Sequence, residues 1–196
     1  LSHAASAFYP SPFTEAAILT IDGVGEWATT TICKGNGKNI EILKQLTFPH
    51  SVGLLYSAFT YYLGIKVNSG EYKLMGLAPY GDPDAEQTKQ FVALIKEKLV
   101  KIYDDGSIYL DQQYFNYAVG LRRVKDKKFE TLFGFKRRGE EEELTQQHCN
   151  LALAIQQVTE EIVLKLAAHA KAITGAKNIC LSGGVALNCV ANGKLQ

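Results

Sequence analysis

Apolar and polar residues alternate from residue 15 to residue 48, broken by two turn signals, "DGVGE" and "KGNGKN". That period predicts a three-stranded antiparallel meander near the N-terminus, with Asp22–Glu26 as the turn between its first two strands. The period changes at 51–64, "SVGLLYSAFTYYLG", where apolar groups fall at helical spacing and end on a glycine suited to a C-cap. Residues 65–83, rich in glycine and proline, read as a loop with about one turn of helix. An amphipathic helix is predicted over 84–102, with Asp84 near its start, and "YDDGSIYLDQQYF" reads as a turn and a short strand. The longest helical pattern covers 140–174 and puts Leu151, Ala154, Ile155, Val158, Ile162 and Leu166 on one face. It leads through Gly175 to "KNICLSGGVALN", a short buried strand, a tight glycine turn and a helix start. At the other end, "LSHAASAFYPSPF" opens as the end of a helix and passes into a proline-broken loop.

Composition narrows the function classes. A chain of 196 residues suits one large or two small α/β domains with a real core. A net charge of +1 supplies no field to recruit nucleic acid or an anionic membrane. Neither a membrane span nor a signal peptide is readable, and a cytoplasmic location is expected. Cys33, Cys149, Cys180 and Cys189 lack metal-type spacing and read as reduced, buried thiols. Met75 is the only methionine, and "VALNCVANGKLQ" enters a helix with no stop signal, so a piece of a larger protein is expected. The run "RRVKDKKFETLFGFKRRGEEEE", 122–143, reads as a solvated loop and the acidic first turn of the next helix. The alternative is that Arg137 or Arg138 forks onto an anionic ligand.

Four segments could carry chemistry. In Asp22-Gly23-Val24-Gly25 the glycines either close a hairpin or leave N–H groups open to a phosphate, with Asp22 on a metal or a water. Ser182-Gly183-Gly184, between a strand and a helix, is either a tight connection or a nucleotide-binding turn, with Asn188 in reach of a sugar or base. His3 is structural or a ligand; His50, His148 and His169 lack metal-type partners and read as non-ligands. In "SGEYKLMGLAPYG", Glu71 and Lys73 form either a surface ion pair or a substrate-facing catalytic pair, Lys73 as a point charge for phosphate. Walker A and dinucleotide fingerprints are absent. Two glycine turns facing each other across a cleft would suggest the actin/Hsp70-like (ribonuclease H-like) ATPase fold.

The segments "LSHAASAFYPSPF", "ILTIDGVGEWATTTI", "GEYKLMGLAPYG" and "LSGGVALNCVANGKL" together resemble the O-carbamoyltransferase family, in order and over essentially the whole chain. The resemblance implies a partial actin-like α/β fold, with residues up to about 65 closing a first lobe and residues from about 66 to 196 forming a linker loop and part of a second. It implies that the family's C-terminal domain lies outside this chain. His3 matches the second histidine of the family's H-x-x-x-H, and Asp22 a carboxylate ligand of the same divalent metal, of iron type, with zinc or magnesium as alternatives. Gly23, Gly25, Ser182, Gly183, Gly184 and Asn188 fall in nucleotide-contacting segments, and Glu71 and Lys73 in the family's "GE-x-K-x-MGLA" loop. The implied reaction uses ATP and carbamoyl phosphate to form a carbamoyl-adenylate, then carbamoylates a hydroxyl-bearing small molecule or sugar. Neither nucleic acid nor membrane is an expected partner. The isolated 196 residues are expected to bind nucleotide weakly and not to turn over. Competing readings are a sugar- or acetate-type kinase, a tRNA threonylcarbamoyl transferase, and a non-catalytic nucleotide-dependent interaction module.

Overall fold

A computed structural model describes residues 1–25, 27–120 and 122–195; Glu26, assigned above to the first turn, lies outside the described residues. The meander forms as its period predicts: β1 (Glu15–Ile21), β2 (Ala28–Asn36) and β3 (Asn39–Thr47) pair antiparallel in sequence order. The fourth strand of this sheet, β6 (Ile179–Ser182), lies on the far side of β1 and runs parallel to it. The fold is thus mixed α/β on a mixed sheet, order β3-β2-β1-β6. β1 is buried on both faces, as a strand covered on both sides must be. On one face, Ile18 and Ala16 pack with Cys33, Cys180 and the first helix, α1 (Ser2–Phe8), through Ala4 and Phe8.

The remaining elements are α2 (Val52–Tyr62), α3 (Glu71–Leu77), α4 (Glu86–Leu94), β4 (Val100–Ile102), β5 (Ile108–Leu110), α5 (Asp126–Phe133), α6 (Gln146–Thr174) and α7 (Cys189–Asn192). Contacts divide the chain into two units that interleave in sequence. The first holds residues 1–53, 102–108 and 160–196; the second holds 54–101 and 109–159. The reason in the first unit is β6, which returns to pair with β1 from the far end of the chain. Three cysteines are buried, whereas Cys189 is exposed at the start of α7.

The second unit departs most from the pattern read in the sequence. The loop over 65–83 holds α3, seven residues long, and the helix over 84–102 is shorter: α4 ends at Leu94, a π turn covers Ile95–Leu99, and β4 follows. The charged run 122–143 is not a solvated loop, because it contains α5. Phe129 and Phe133, four apart, bury one face of α5 against Phe59 and Tyr62, and Gly134 closes it in the left-handed conformation. Its acidic residues do not start the long helix either. α6 begins after Thr145, whose N–H donates back to His148 Nδ1, the part a glutamate plays in a capping box.

Arg138 answers the alternative offered for that run. Its side chain is buried, and its guanidinium donates to the carbonyls of Leu63 (2.9 Å), Glu142 (2.8 Å) and Glu140 (3.0 Å). Those donors hold the chain together rather than a ligand. Replacing Arg138 with methionine leaves these carbonyls unpaired and is expected to destabilise the protein by about 3 kcal/mol, read from its denaturation midpoint.

Candidate functional site

The two glycine turns do not face each other across a cleft. Thr20 of β1 lies beside Ser182 of β6 in parallel register, so both turns leave the same end of one sheet on neighbouring strands. Loops at the carboxyl ends of parallel strands are where α/β folds place ligands. The turn after β1 is closed by the Asp22 N–H, which donates to the Thr29 carbonyl (2.8 Å).

Asp22 is the hub of the assembly. Its Oδ1 accepts the N–H of Gly23 (2.8 Å) and, 162 positions away, that of Gly184 (3.4 Å). Its Oδ2 lies 2.9 Å from His3 Nε2 on α1. Three separate segments therefore meet on one half-buried carboxylate. Burial alone would raise its pKa; the Gly23 N–H, the His3 ring and the Gly184 N–H together outweigh burial and hold it below the usual carboxylate value. A carboxylate held low is ionised throughout the neutral range.

Three positions here admit only glycine, one of them Gly25, whose φ is +59° and whose Cβ would lie 2.6 Å from the Ala28 carbonyl oxygen. Gly183 has φ +96°, and a Cβ there would overlap the Ile21 carbonyl oxygen. Gly53, in the first turn of α2, lies so close to the Asp22 loop that a Cβ would be 2.8 Å from the Asp22 carbonyl oxygen. The Ser51 hydroxyl just before it donates to the Asp22 carbonyl at 3.0 Å and to that of Gly23. Ser51 and Gly53 were not singled out in the sequence, although a serine ahead of an apolar helical run is a start signal.

His3, Asp22, Gly23 and Gly184 are thus brought together, with Gly183 framing the turn and Ser182 ending the strand. Gly25 lies farther along the Asp22 loop with φ +59°. Asn188 is the N-cap of α7, its Oδ1 accepting the Ala191 N–H at 3.0 Å, so that oxygen serves the helix rather than a sugar or base. Glu71 and Lys73 belong to the second unit. Glu71 makes no surface pair with Lys73: its carboxylate accepts from Ser57 Oγ (2.8 Å), Asn68 N–H (3.0 Å) and Gly70 N–H (3.2 Å), fixing the loop before α3. Lys73, two residues on and so directed elsewhere on the helix, is exposed. Among the described residues no group of three or more histidine, cysteine or acidic side chains is arranged to hold a metal, and no helix is long and apolar enough to cross a membrane.

A family model described as Carbamoyltransferase N-terminus matches residues 1–196. An uncharacterized protein of Synechocystis sp. is 56% identical over 194 residues, covering 99% of this chain and 30% of the relative. The nodulation protein NolNO of Sinorhizobium fredii is 38% identical, covering 100% of this chain and 26% of its own length. For the nodulation protein NolO of Bradyrhizobium diazoefficiens the figures are 36%, 98% and 32%. The chain therefore spans about a third or less of these relatives.

Proposed function

The chain belongs to the carbamoyltransferase N-terminus family, and from that premise we propose that the full-length protein is an ATP-dependent O-carbamoyltransferase whose reacting centre is built on Asp22. One observation carries this reading: the N–H groups of Gly23 and Gly184 converge on an anionic oxygen while the other oxygen of the same carboxylate faces His3. Those donors are taken by Asp22 and hold it ionised beside His3, where a carboxylate and an imidazole suit a metal ion. The actin/Hsp70-like form of the α/β fold belongs to this proposal too, supported by a meander whose first strand pairs in parallel with β6.

His3 Nε2 and the Asp22 carboxylate fit a divalent metal of iron type, since imidazole nitrogen and carboxylate oxygen are its ordinary donors and here they already face each other. They supply two donors of a larger set. When bound, such an ion supplies Lewis acidity at phosphate oxygens. The chain's own groups then have distinct tasks. Asp22 orients His3 and the Gly184 turn, and Gly183 lets β6 end close against Ile21. Glu71 is a positioning residue, because its carboxylate is committed to the loop that carries Lys73.

Water first splits carbamoyl phosphate into carbamate and inorganic phosphate; a carbamate oxygen then bonds to the α-phosphorus of ATP as the bond from that phosphorus to pyrophosphate breaks, giving a carbamoyl-adenylate. In the transfer step the acceptor oxygen bonds to the carbamoyl carbon, the bond from that carbon to the adenylate oxygen breaks, AMP departs and the hydroxyl proton is lost. Product analysis tests this against a kinase of the same fold: the full-length protein given ATP, carbamoyl phosphate and a hydroxyl-bearing sugar should release AMP and pyrophosphate. ADP as the main product would overturn the proposal.

A further inference from the structure

Thr30 and Ile32 stand on the face of the sheet opposite the one that Cys33 shares with α1, because successive residues of a strand point to opposite faces. On that face they line a cavity of about 80 Å³ with Leu46 of β3, Leu166 and His169 of α6, and the turn between β4 and β5. Every wall belongs to the first unit. Gly106 brings that turn close. At φ +81° its Cβ would lie 2.4 Å from the Leu166 backbone nitrogen, so only glycine lets the turn press on the helix. Two polar atoms at the cavity lack partners among the described residues. Thr30 is 3% exposed and its Oγ1 makes no hydrogen bond; Nε2 of His169 is buried and makes none either. Each such atom costs stability unless something fills its bonding capacity. Asp105 lines the same cavity, and its Oδ1 accepts the Ser107 hydroxyl (2.6 Å) and the Ser107 N–H (2.9 Å). Those bonds, helped by the nearby His169, outweigh partial burial and hold the carboxyl below its usual range. Lys44, exposed on β3, supplies the opposite charge at the rim, and no ion pair joins it to Asp105 among the described residues.

The chemistry of the lining selects the occupant. An ionised carboxylate only accepts hydrogen bonds, an imidazole protonated on Nδ1 accepts at Nε2, and a hydroxyl accepts as well as donates. A primary ammonium answers these three acceptors with three N–H donors. A lone anion fits badly beside Asp105, whereas a bare alkylammonium leaves Lys44 unanswered. The volume calls for a small molecule, since a cavity roughly twice as large is filled by one benzene ring. The geometry points to a site for a small zwitterionic amino acid, with its ammonium on Asp105, His169 and Thr30, its carboxylate on Lys44, and its carbon atoms on Ile32 and Leu166. This site shares no residue with the Asp22 centre and stands apart from the transfer reaction.

The test uses the full-length protein with L-alanine as the probe and ethylammonium, propionate and zinc as comparisons. Binding is read at matched ionic strength as the rise in thermal midpoint with concentration. L-Alanine is expected to bind more tightly than ethylammonium or propionate. Asp105→Asn and Thr30→Val are each expected to weaken alanine about tenfold, the worth of one hydrogen bond to a charged group. Thr30→Val is also expected to raise the midpoint of the unliganded protein, because it removes a buried hydroxyl that has no partner. If Thr30→Val does not fold, Asp105→Asn, on a turn, decides alone. Equal alanine affinity in the substituted and unsubstituted proteins overturns the proposal. So does an absence of alanine binding, which leaves the cavity to water. Propionate or zinc bound more tightly than alanine, and lost on substitution, overturns it in favour of an anion or a metal ion.

Discussion

Replacing Asp22 with asparagine is expected to lower carbamoyl transfer by the full-length protein at least about a hundredfold while leaving it folded. Asparagine has the same size, and its amide oxygen can still accept the Gly23 N–H. The main-chain bond from residue 22 to the Thr29 carbonyl does not involve the side chain at all. What disappears is the negative charge and one of the two oxygens, so His3 loses its anionic partner and a metal loses a donor. Because this carboxylate is held ionised by its neighbours, the loss should be the same across the neutral pH range rather than confined to one end of it. Turnover, metal content and thermal midpoint measured on one preparation separate the effects. Unchanged metal content and rate would remove Asp22 from the centre.

Gly183→Ala is expected to cost about 3 kcal/mol of stability and to abolish nucleotide binding. Two penalties add at this position. At φ +96° an L-residue is strained, and its Cβ would overlap the Ile21 carbonyl oxygen, a backbone atom that cannot swing aside. Relief requires moving the end of β6 away from β1, which also carries the Gly184 N–H off Asp22. Gly23→Ala is the control, since a Cβ there meets nothing within 4 Å and so adds no such clash. Chemical denaturation of both variants, beside ATP calorimetry, should show a large shift for the first and a small one for the second.

Local pattern was readable from the sequence where one period dominates. The meander, α2, the apolar face of α6 and the strand-turn-helix at 179–192 follow from spacing that neighbours in the chain impose. Pairing between distant segments was not readable in the same way. Nothing in "NICL" says that Cys180 lies beside Ile18, and so the two glycine turns could be assigned to opposite walls when they share a sheet end. Charge misled the reading of 122–143, where Phe129 and Phe133 bury a helix whose other positions are mostly charged. Arg138 shows the same limit: a guanidinium in a run of charges gives no sign that it will tie its own run to the distant Leu63 carbonyl.

At the candidate site, residue types were legible and their tasks only partly so. His3 and Asp22 carried the right chemistry to meet, and they do meet at 2.9 Å. Asn188 and Glu71 looked equally suited to ligands, yet Oδ1 of Asn188 caps a helix and the carboxylate of Glu71 organises a loop. Short polar side chains beside glycine-rich turns serve backbone donors as readily as substrates, and only the folded geometry distinguishes the two.

The assignment of Asp22 as the centre is most directly tested by anomalous diffraction at the iron edge, from crystals of the full-length protein grown with a non-hydrolysable ATP analogue. A single strong peak within bonding reach of both His3 Nε2 and the Asp22 carboxylate, with the analogue bound at the same end of the sheet, is the expected result. A metal and nucleotide bound together elsewhere, with His3 and Asp22 still joined to each other, would contradict it.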